Sequence, residues 1–147
     1  MTVVVRPLRP AERAQWEPLW NAYLAFYETT VPVSVTDVTW GRLNDPAEPM
    51  FVLGAFDGGM LMGIVQYLFH RSNWTVGDYC YLQDLFVAPE ARNLGIGRKL
   101  IAAVEAKARE AGASRLYWHT RADNKTARAL YDKVSEHTGF IQYRTIL

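Results

Sequence analysis

The sequence predicts an α/β layer protein with a mixed central sheet, its elements running in the order β-αα-βββ-α-β-α-β. Three observations carry this expectation. Stretches with helical hydrophobic spacing alternate with short apolar runs. Three such runs follow one another between residues 50 and 87, and the first two flank Asp57-Gly58-Gly59, a strong hairpin signal. A loop punctuated by glycines, Arg92-Asn93-Leu94-Gly95-Ile96-Gly97, then opens directly into a basic amphipathic helix.

Val3-Val4-Val5 reads as a short strand that stops at Pro7. The segment RPAERAQWEPLWNAYLAFYE places Trp16, Leu19, Trp20, Tyr23 and Phe26-Tyr27 at three- and four-residue spacing, which predicts a helix. Pro18 predicts a kink in it, or a start near Glu17. Residues 31–34 read as a loop and 35–43 as a second helix, capped by Ser34 or Thr36. Strands are expected over 50–55 and 60–70, then a turn over 71–77 and a strand over 78–87. A helix over 97–111 ends at Gly112. A strand over 114–120, a helix over 125–134 and a closing strand over 140–146 complete the chain, with no internal repeat and no low-complexity linker.

With 147 residues, half of them hydrophobic, the chain is long enough for one domain with a real core. The single cysteine, Cys80, excludes an intrachain disulfide framework, and its apolar strand setting fits a buried thiol better than a nucleophile. His70, His119 and His137 lack metal-ligand spacing, so no metal is expected. Without a secretory apolar region or an eighteen-residue apolar span, the expectation is a soluble, cytoplasmic protein with no membrane partner. Net charge is +1 but uneven: residues 1–60 carry four basic and seven acidic side chains, residues 61–147 twelve and eight. The basic half suits a polyanionic small ligand and the acidic half a cationic one. Basic residues interspersed with acidic ones argue against a nucleic-acid surface.

The loop at 92–97 carries the sharpest chemistry. Closely spaced glycines let backbone N–H groups converge, and the following helix start adds favourable potential for an anion, most plausibly phosphate. The loop is neither G-x-G-x-x-G nor a Walker loop ending in Lys-Ser/Thr.

Residues 82–101, LQDLFVAPEARNLGIGRKLI, resemble the acetyl-CoA motif of the Gcn5-related N-acetyltransferases (GNAT), whose pyrophosphate loop reads R/Q-x-x-G-x-G/A. Arg92, Gly95 and Gly97 stand at its three defining places. LYWHTRADNKTARALYDKV followed by TGFIQYR resembles the family's C-terminal half. The likeness is greatest to the branch of polyamine and small Hpa2-like histone/polyamine acetyltransferases. It implies one acetyltransferase domain over residues 1–147, with helices on both faces of the sheet and acetyl-CoA as cosubstrate.

The resemblance also implies roles. Backbone groups of Leu85, Phe86 and Val87 should pair with the pantetheine arm, and N–H groups of Asn93, Leu94, Gly95, Ile96, Gly97 and Arg98 should cradle the pyrophosphate. Asn124 and Arg128 are expected on the cofactor, and Tyr131 beside its sulfur as general acid. A neutral amine would attack the thioester directly, so a proton must leave the nitrogen. Where polyamine enzymes carry glutamate this chain has Gln83, which can orient an amine but not deprotonate it. Asp84 is adjacent, although strict alternation points it to the other face unless a bulge intervenes. Glu28 is the other carboxylate candidate. Tyr23, Tyr27 and Trp40 could wall an acceptor pocket, with Glu28, Gln83 and Asp84 contacting the amine. The acceptor is expected to be a polyamine, a diamine or another small cationic amine. A protein lysine, or a catalytically weak CoA-binding regulatory module, is the alternative. A homodimer through the C-terminal part is expected.

Overall fold

The computed structural model describes residues 2–147. Five strands form one sheet in sequential order: β1 (Val3–Pro7), β2 (Met50–Asp57), β3 (Met60–His70), β4 (Tyr79–Val87) and β5 (Arg115–Tyr117). The first four are antiparallel and β5 joins β4 in parallel. The β2–β3 hairpin turns on Gly58 and Gly59, at φ 55 and 88, as a tight two-residue turn requires.

Two apolar layers sandwich this sheet. On one face lie α1 (Arg13–Phe26), preceded by a short 3-10 turn at Pro10–Glu12, and α2 (Val33–Leu43). Trp16, Trp20 and Trp40 pack there with Val52, Phe56, Leu61, Ile64 and Phe86. On the other face lies α3 (Ile96–Glu110), entered through a 3-10 turn at Pro89–Ala91; it buries Ile96, Leu100, Ile101, Val104 and Ala108 against Leu53, Val65, Cys80 and Leu82. Full burial of each large aliphatic in this layer contributes about 1.5–3 kcal/mol relative to exposure. The last helix, α4 (Lys125–Val134), leans on that layer through the partly buried Leu130, Tyr131 and Val134.

Several sequence expectations are refined. α1 neither starts at Glu17 nor breaks at Pro18. Pro18 and Ala14, whose carbonyl loses its donor, are both exposed, so water can take the place of the missing bond. α2 begins at Val33 without a side-chain cap; Thr36 is buried inside it and accepts from Trp20 Nε1 at 3.2 Å. The strand expected over 114–120 is ordered only at Arg115–Tyr117. The closing strand expected over 140–146 is not formed. Phe140, Ile141, Tyr143 and Ile146 are 75–88% exposed, and among the described residues no strand lies beside them to satisfy a ladder.

The entry to α1 is tied down by a bidentate pair. Arg6 donates to both carboxylate oxygens of Glu12 at 2.9 and 2.7 Å, and Arg9 N–H adds a third bond at 2.7 Å. The guanidinium hydrogen bond, ahead of the opposing cost of burial, holds the Glu12 carboxyl down at about 2 from its ordinary 4.5. The folded value lies below the unfolded one, so this pair stabilises above about pH 4.5 and loses its contribution as pH falls toward about 2. Urea unfolding of Glu12→Gln should therefore show a deficit at pH 7 that shrinks as pH is lowered through this window. A deficit equal at pH 7 and pH 2.5 would show that the pair does not set it.

Candidate active site

β4 is the spine of the site. On its β3 side it is paired throughout, but on its other side β5 accompanies it only over Tyr79–Tyr81. Residues 82–87 thus have no neighbouring strand on that side, and an extended ligand can lie there as a strand would. The β3–β4 register also slips here: Gln66 faces Asp84 and Tyr67 faces Leu82, leaving Gln83 as the extra residue of a bulge. Cys80 and Leu82 belong to the α3-side core, so unbroken alternation would send Asp84 there as well. Instead it meets Gln66 and Tyr23 on the α1 side.

Directly beyond β4 comes the glycine loop. Asn93 and Gly95 adopt left-handed conformations, φ 64 and 77, and Gly95 is the residue before α3. Among the described residues, no N–H group from Asn93 to Arg98 is committed to a backbone acceptor, while Lys99 N–H begins the helical ladder by donating to Gly95. These groups converge where a helix start favours an anion. A Cβ at Gly97 would stand 3.4 Å from Leu130, in ordinary contact, so α4 packs close beside the loop. Arg92 serves differently from a phosphate contact in this state: its Nε donates to the Val87 carbonyl at 3.1 Å, and its guanidinium lies 5.4 Å from the Phe86 ring centre. Leu94 is half-exposed, whereas Ile96 is buried and anchors the helix.

Asp84 sits beneath tyrosines from α1. Gln66 Nε2 donates to its Oδ2 at 2.8 Å, and the Tyr23 hydroxyl, 3.4 Å from the Gln83 carbonyl, reaches it as well. Burial raises the Asp84 carboxyl above its ordinary value against the lowering effect of those two hydrogen bonds. Tyr23 is raised in turn, by burial first and then by the Asp84 charge. Tyr27 packs edge-on to Tyr23 at 5.2 Å; burial raises its phenol most, a hydrogen bond with Thr120 opposes this, and the Asp84 charge adds to the rise.

Tyr131 on α4 packs edge-on to Trp118 at 5.5 Å. Burial, with a smaller contribution from Tyr27, pushes its phenol up to about 12, so it keeps its proton throughout the neutral range. Tyr27 thus stands within electrostatic reach of both Asp84 and Tyr131. Asn124, at the N-cap of α4, donates to Thr120 Oγ1 at 3.0 Å, and Arg128 donates to the Ala122 carbonyl at 2.6 Å; both brace the loop that leads into the helix.

Other sequence candidates fall elsewhere. Trp40 is 7% exposed and lies 4.7 Å from Trp16 in the core, so it does not wall the opening. Glu28, just past α1, is exposed at φ 54 and makes no side-chain hydrogen bond or ion pair among the described residues. Gln83 is exposed at the bulge. Cys80 is buried, and burial pushes its thiol up to about 11, which suits packing rather than nucleophilic attack. Among the described residues, no group of three or more His, Cys, Asp or Glu side chains is gathered as a metal site. Sequence reasoning missed Gln66; the only signal was a lone amide in the apolar run of β3.

The sequence model of the Acetyltransferase (GNAT) family matches residues 16–135. The chain belongs to this family. It is similar to the D-amino-acid N-acetyltransferase HPA3 of Saccharomyces cerevisiae, at 36% identity over 97% of this chain and 89% of that one. A Caenorhabditis elegans thialysine N-epsilon-acetyltransferase is 38% identical, but over only 54% of this chain and 49% of its own length. The fold of this GNAT chain matches the aminoglycoside N-acetyltransferase AAC(6')-Iy, solved with a bisubstrate CoA analogue, at TM-score 0.85 and 18% identity with both chains fully covered. It also matches a ribosomal-protein-alanine N-acetyltransferase from Brucella melitensis at TM-score 0.80 and 21% identity, over 99% of this chain and all of that one. The protein is an N-acetyltransferase of the GNAT type, dependent on acetyl-CoA.

The cradle yields a direct test. Gly95 tolerates space but not handedness: nothing lies within 4 Å of a Cβ there, yet its φ of 77 disfavours most side chains. Asp is among the residues that visit this conformation, so Gly95→Asp should fold while placing a negative charge at the anion site. Calorimetry should show CoA affinity falling by about a hundredfold or more, the scale of a few kcal/mol of like-charge contact. Unchanged affinity in the folded variant would remove the loop from cofactor binding.

Proposed function

We propose that this acetyltransferase acetylates the primary amine of a small molecule, with the amine seated between Asp84 and the tyrosines of α1. The observation that carries this reading is the bulge-directed Asp84 carboxylate on the α1 side of β4, with Tyr27 within electrostatic reach of both it and Tyr131. Acetyl-CoA supplies an acyl group already activated as a thioester. The free N–H groups of residues 93–98 fit its pyrophosphate, and the open side of Leu85, Phe86 and Val87 fits its arm.

In this reading the chain's own residues handle protons and charge. A free alkylamine is mostly ammonium at neutral pH, and its nitrogen becomes far more acidic as it bonds to a carbonyl carbon. Asp84 takes up the proton the nitrogen sheds; burial makes its carboxylate a stronger base than an exposed one. Tyr131 holds a proton on its phenolic oxygen for the departing sulfur. Tyr23 and Tyr27 present aromatic faces to a cationic acceptor and narrow access of water to Asp84. Asn124 and Arg128 keep the Thr120–Asn124 loop in place beneath the cofactor arm. Glu28 is left at the rim as a contact for the far end of a polycationic acceptor.

The acceptor itself divides into two readings. Asp84 under aromatic rings favours a cationic amine of the diamine or polyamine kind. The likeness to HPA3 over nearly the whole chain favours the amino group of an amino acid, D-configured ones included. A panel of spermidine, short diamines, thialysine, D- and L-amino acids, an aminoglycoside and a lysine peptide decides between them by kcat/KM. Cationic acceptors at the top support the first reading; D-amino acids at the top with polyamines at background replace it with the second.

On the best acceptor, Tyr131→Phe should lower kcat by roughly a hundredfold, the usual scale for a positioned proton donor, with little change in CoA affinity. Asp84→Asn should remove the acid limb of the kcat/KM profile, a limb expected above the ordinary carboxylate range because burial raises this group. If Asp84→Asn retains both rate and profile, the proton acceptor is another group.

The protein is further proposed to act as a homodimer. Phe140, Ile141, Tyr143 and Ile146 present apolar surface to solvent, and β5 is an open sheet edge. A second copy of this chain covers both at once. Sedimentation at micromolar concentration should give about twice 16.7 kDa, and truncation after His137 should give a monomer. A full-length chain that sediments as a monomer would refute the pairing.

A further inference from the structure

Only two polar side chains are buried in the described core, Thr36 and Gln66. Each receives a tryptophan N–H: Trp20 donates to Thr36 Oγ1 at 3.2 Å and Trp16 to Gln66 Oε1 at 2.7 Å. What lies beyond them differs. Thr36 sits within α2, whereas Gln66 passes the chain onward by donating from Nε2 to Asp84 Oδ2 at 2.8 Å.

The direction of this chain is set by its first member. An indole N–H can only donate, while a glutamine amide has an accepting end and a donating end. Trp16 is fully buried and cannot turn to water. It therefore fixes Oε1 toward itself and the donating end toward the cleft. A flipped amide would set its oxygen against the Asp84 carboxylate and its NH2 against the indole N–H, two repulsive contacts at once. Packing alone does not require an amide here. Its neighbour on the same strand face, Ile64, is 1% exposed, and an apolar side chain would fill this layer without desolvating a polar group.

We propose that Trp16 and Gln66 form a positioning pair for Asp84, turning its carboxylate toward the cleft and holding it in the charged form that can accept a proton. The inference rests on Asp84 as the proton acceptor for its catalytic meaning, but not for its physical content. The groups facing Asp84 are Gln66 from β3, Tyr23 from α1, Tyr27 from the residue that caps α1, and Tyr81 from its own strand. None of them is a cation. The three phenols are all raised and stay neutral near pH 7, so hydrogen-bond donation from Gln66 and Tyr23 is what opposes the cost of burying the charge.

Carbon-13 NMR titration of the full-length, aspartate-labelled protein reads the effect without turnover, with the Asp84 signal assigned by its loss in Asp84→Asn. In Gln66→Leu the Asp84 midpoint should rise by about one to two pH units, the scale of one lost charge-assisted hydrogen bond. Trp16→Phe should shift it in the same direction by less, and should add nothing in a Gln66→Leu background. The acid limb of kcat/KM should move with the midpoint. Gln66→Leu leaves the indole N–H unpaired in the core, so the double variant Trp16→Phe/Gln66→Leu, which removes both partners, safeguards folding and must show the same midpoint. An unchanged midpoint in either folded variant, or independent and additive shifts from the two substitutions, overturns the pair. A midpoint that moves while Asp84→Asn leaves the activity profile intact sustains the pair and instead rejects Asp84 as the proton acceptor.

Discussion

The site depends on one asymmetry of hydrogen bonding: β4 is paired on one side from end to end except at the Gln83 bulge, and over three residues on the other. A strand that kept both neighbours would have its backbone groups fully occupied and would offer nothing to an extended ligand. Because β5 stops at Tyr117, the C-terminal half of β4 runs along an opening and ends at the glycine loop. Strand edge and helix start thus follow one another in the chain, as the proposed binding of an amide-bearing arm and a pyrophosphate requires.

The bulge at Gln83 adds the second requirement. A single inserted residue moves Asp84 from the α3-side core to the α1 side. Had the register run straight, the chain would carry a carboxylate in an apolar layer with no partner there, at a cost of several kcal/mol. With the bulge, the same carboxylate meets a glutamine amide and a tyrosine hydroxyl while staying partly shielded from water. The residual burial is what raises its affinity for a proton. The two aromatic layers serve this arrangement. Trp16, Trp20 and Trp40 form the platform under α1, and Tyr23 and Tyr27 continue the same helix face outward to the cleft.

Relatives give this frame its context and leave the acceptor to the pocket. GNAT folds at TM-scores of 0.80 and 0.85 include a ribosomal-protein-alanine and an aminoglycoside acetyltransferase at about 20% identity, so one fold is shared by proteins named for different acceptors. In this chain Tyr23, Tyr27 and Gln66 gather around Asp84, while Arg92 and Arg128 fold back onto backbone carbonyls.

The sequence by itself determined whatever rests on neighbours in the chain. The hairpin at Gly58-Gly59, the loop from Arg92 to Gly97, the span of α4 and the spacing from Asn124 to Tyr131 all follow from turn chemistry and helical period, which act over a few residues. The family followed from the same local motifs. Tertiary structure alone decided the rest. Trp40 and Tyr23 read alike as aromatic residues that could wall an acceptor pocket, yet one is core and the other lies beside Asp84, because the angle at which a helix lies on a sheet is a property of both surfaces. Asp84 and Glu28 read alike as candidate carboxylates, but only Asp84 is gathered in, by a slip of register that depends on β3 as much as on β4. Gln66 is only a lone amide in an apolar strand until the fold sets Trp16, fifty residues away in sequence, against it. The closing segment from Phe140 to Ile146 has a strand's composition and no strand beside it, because a β-ladder needs a partner that sequence cannot supply on its own.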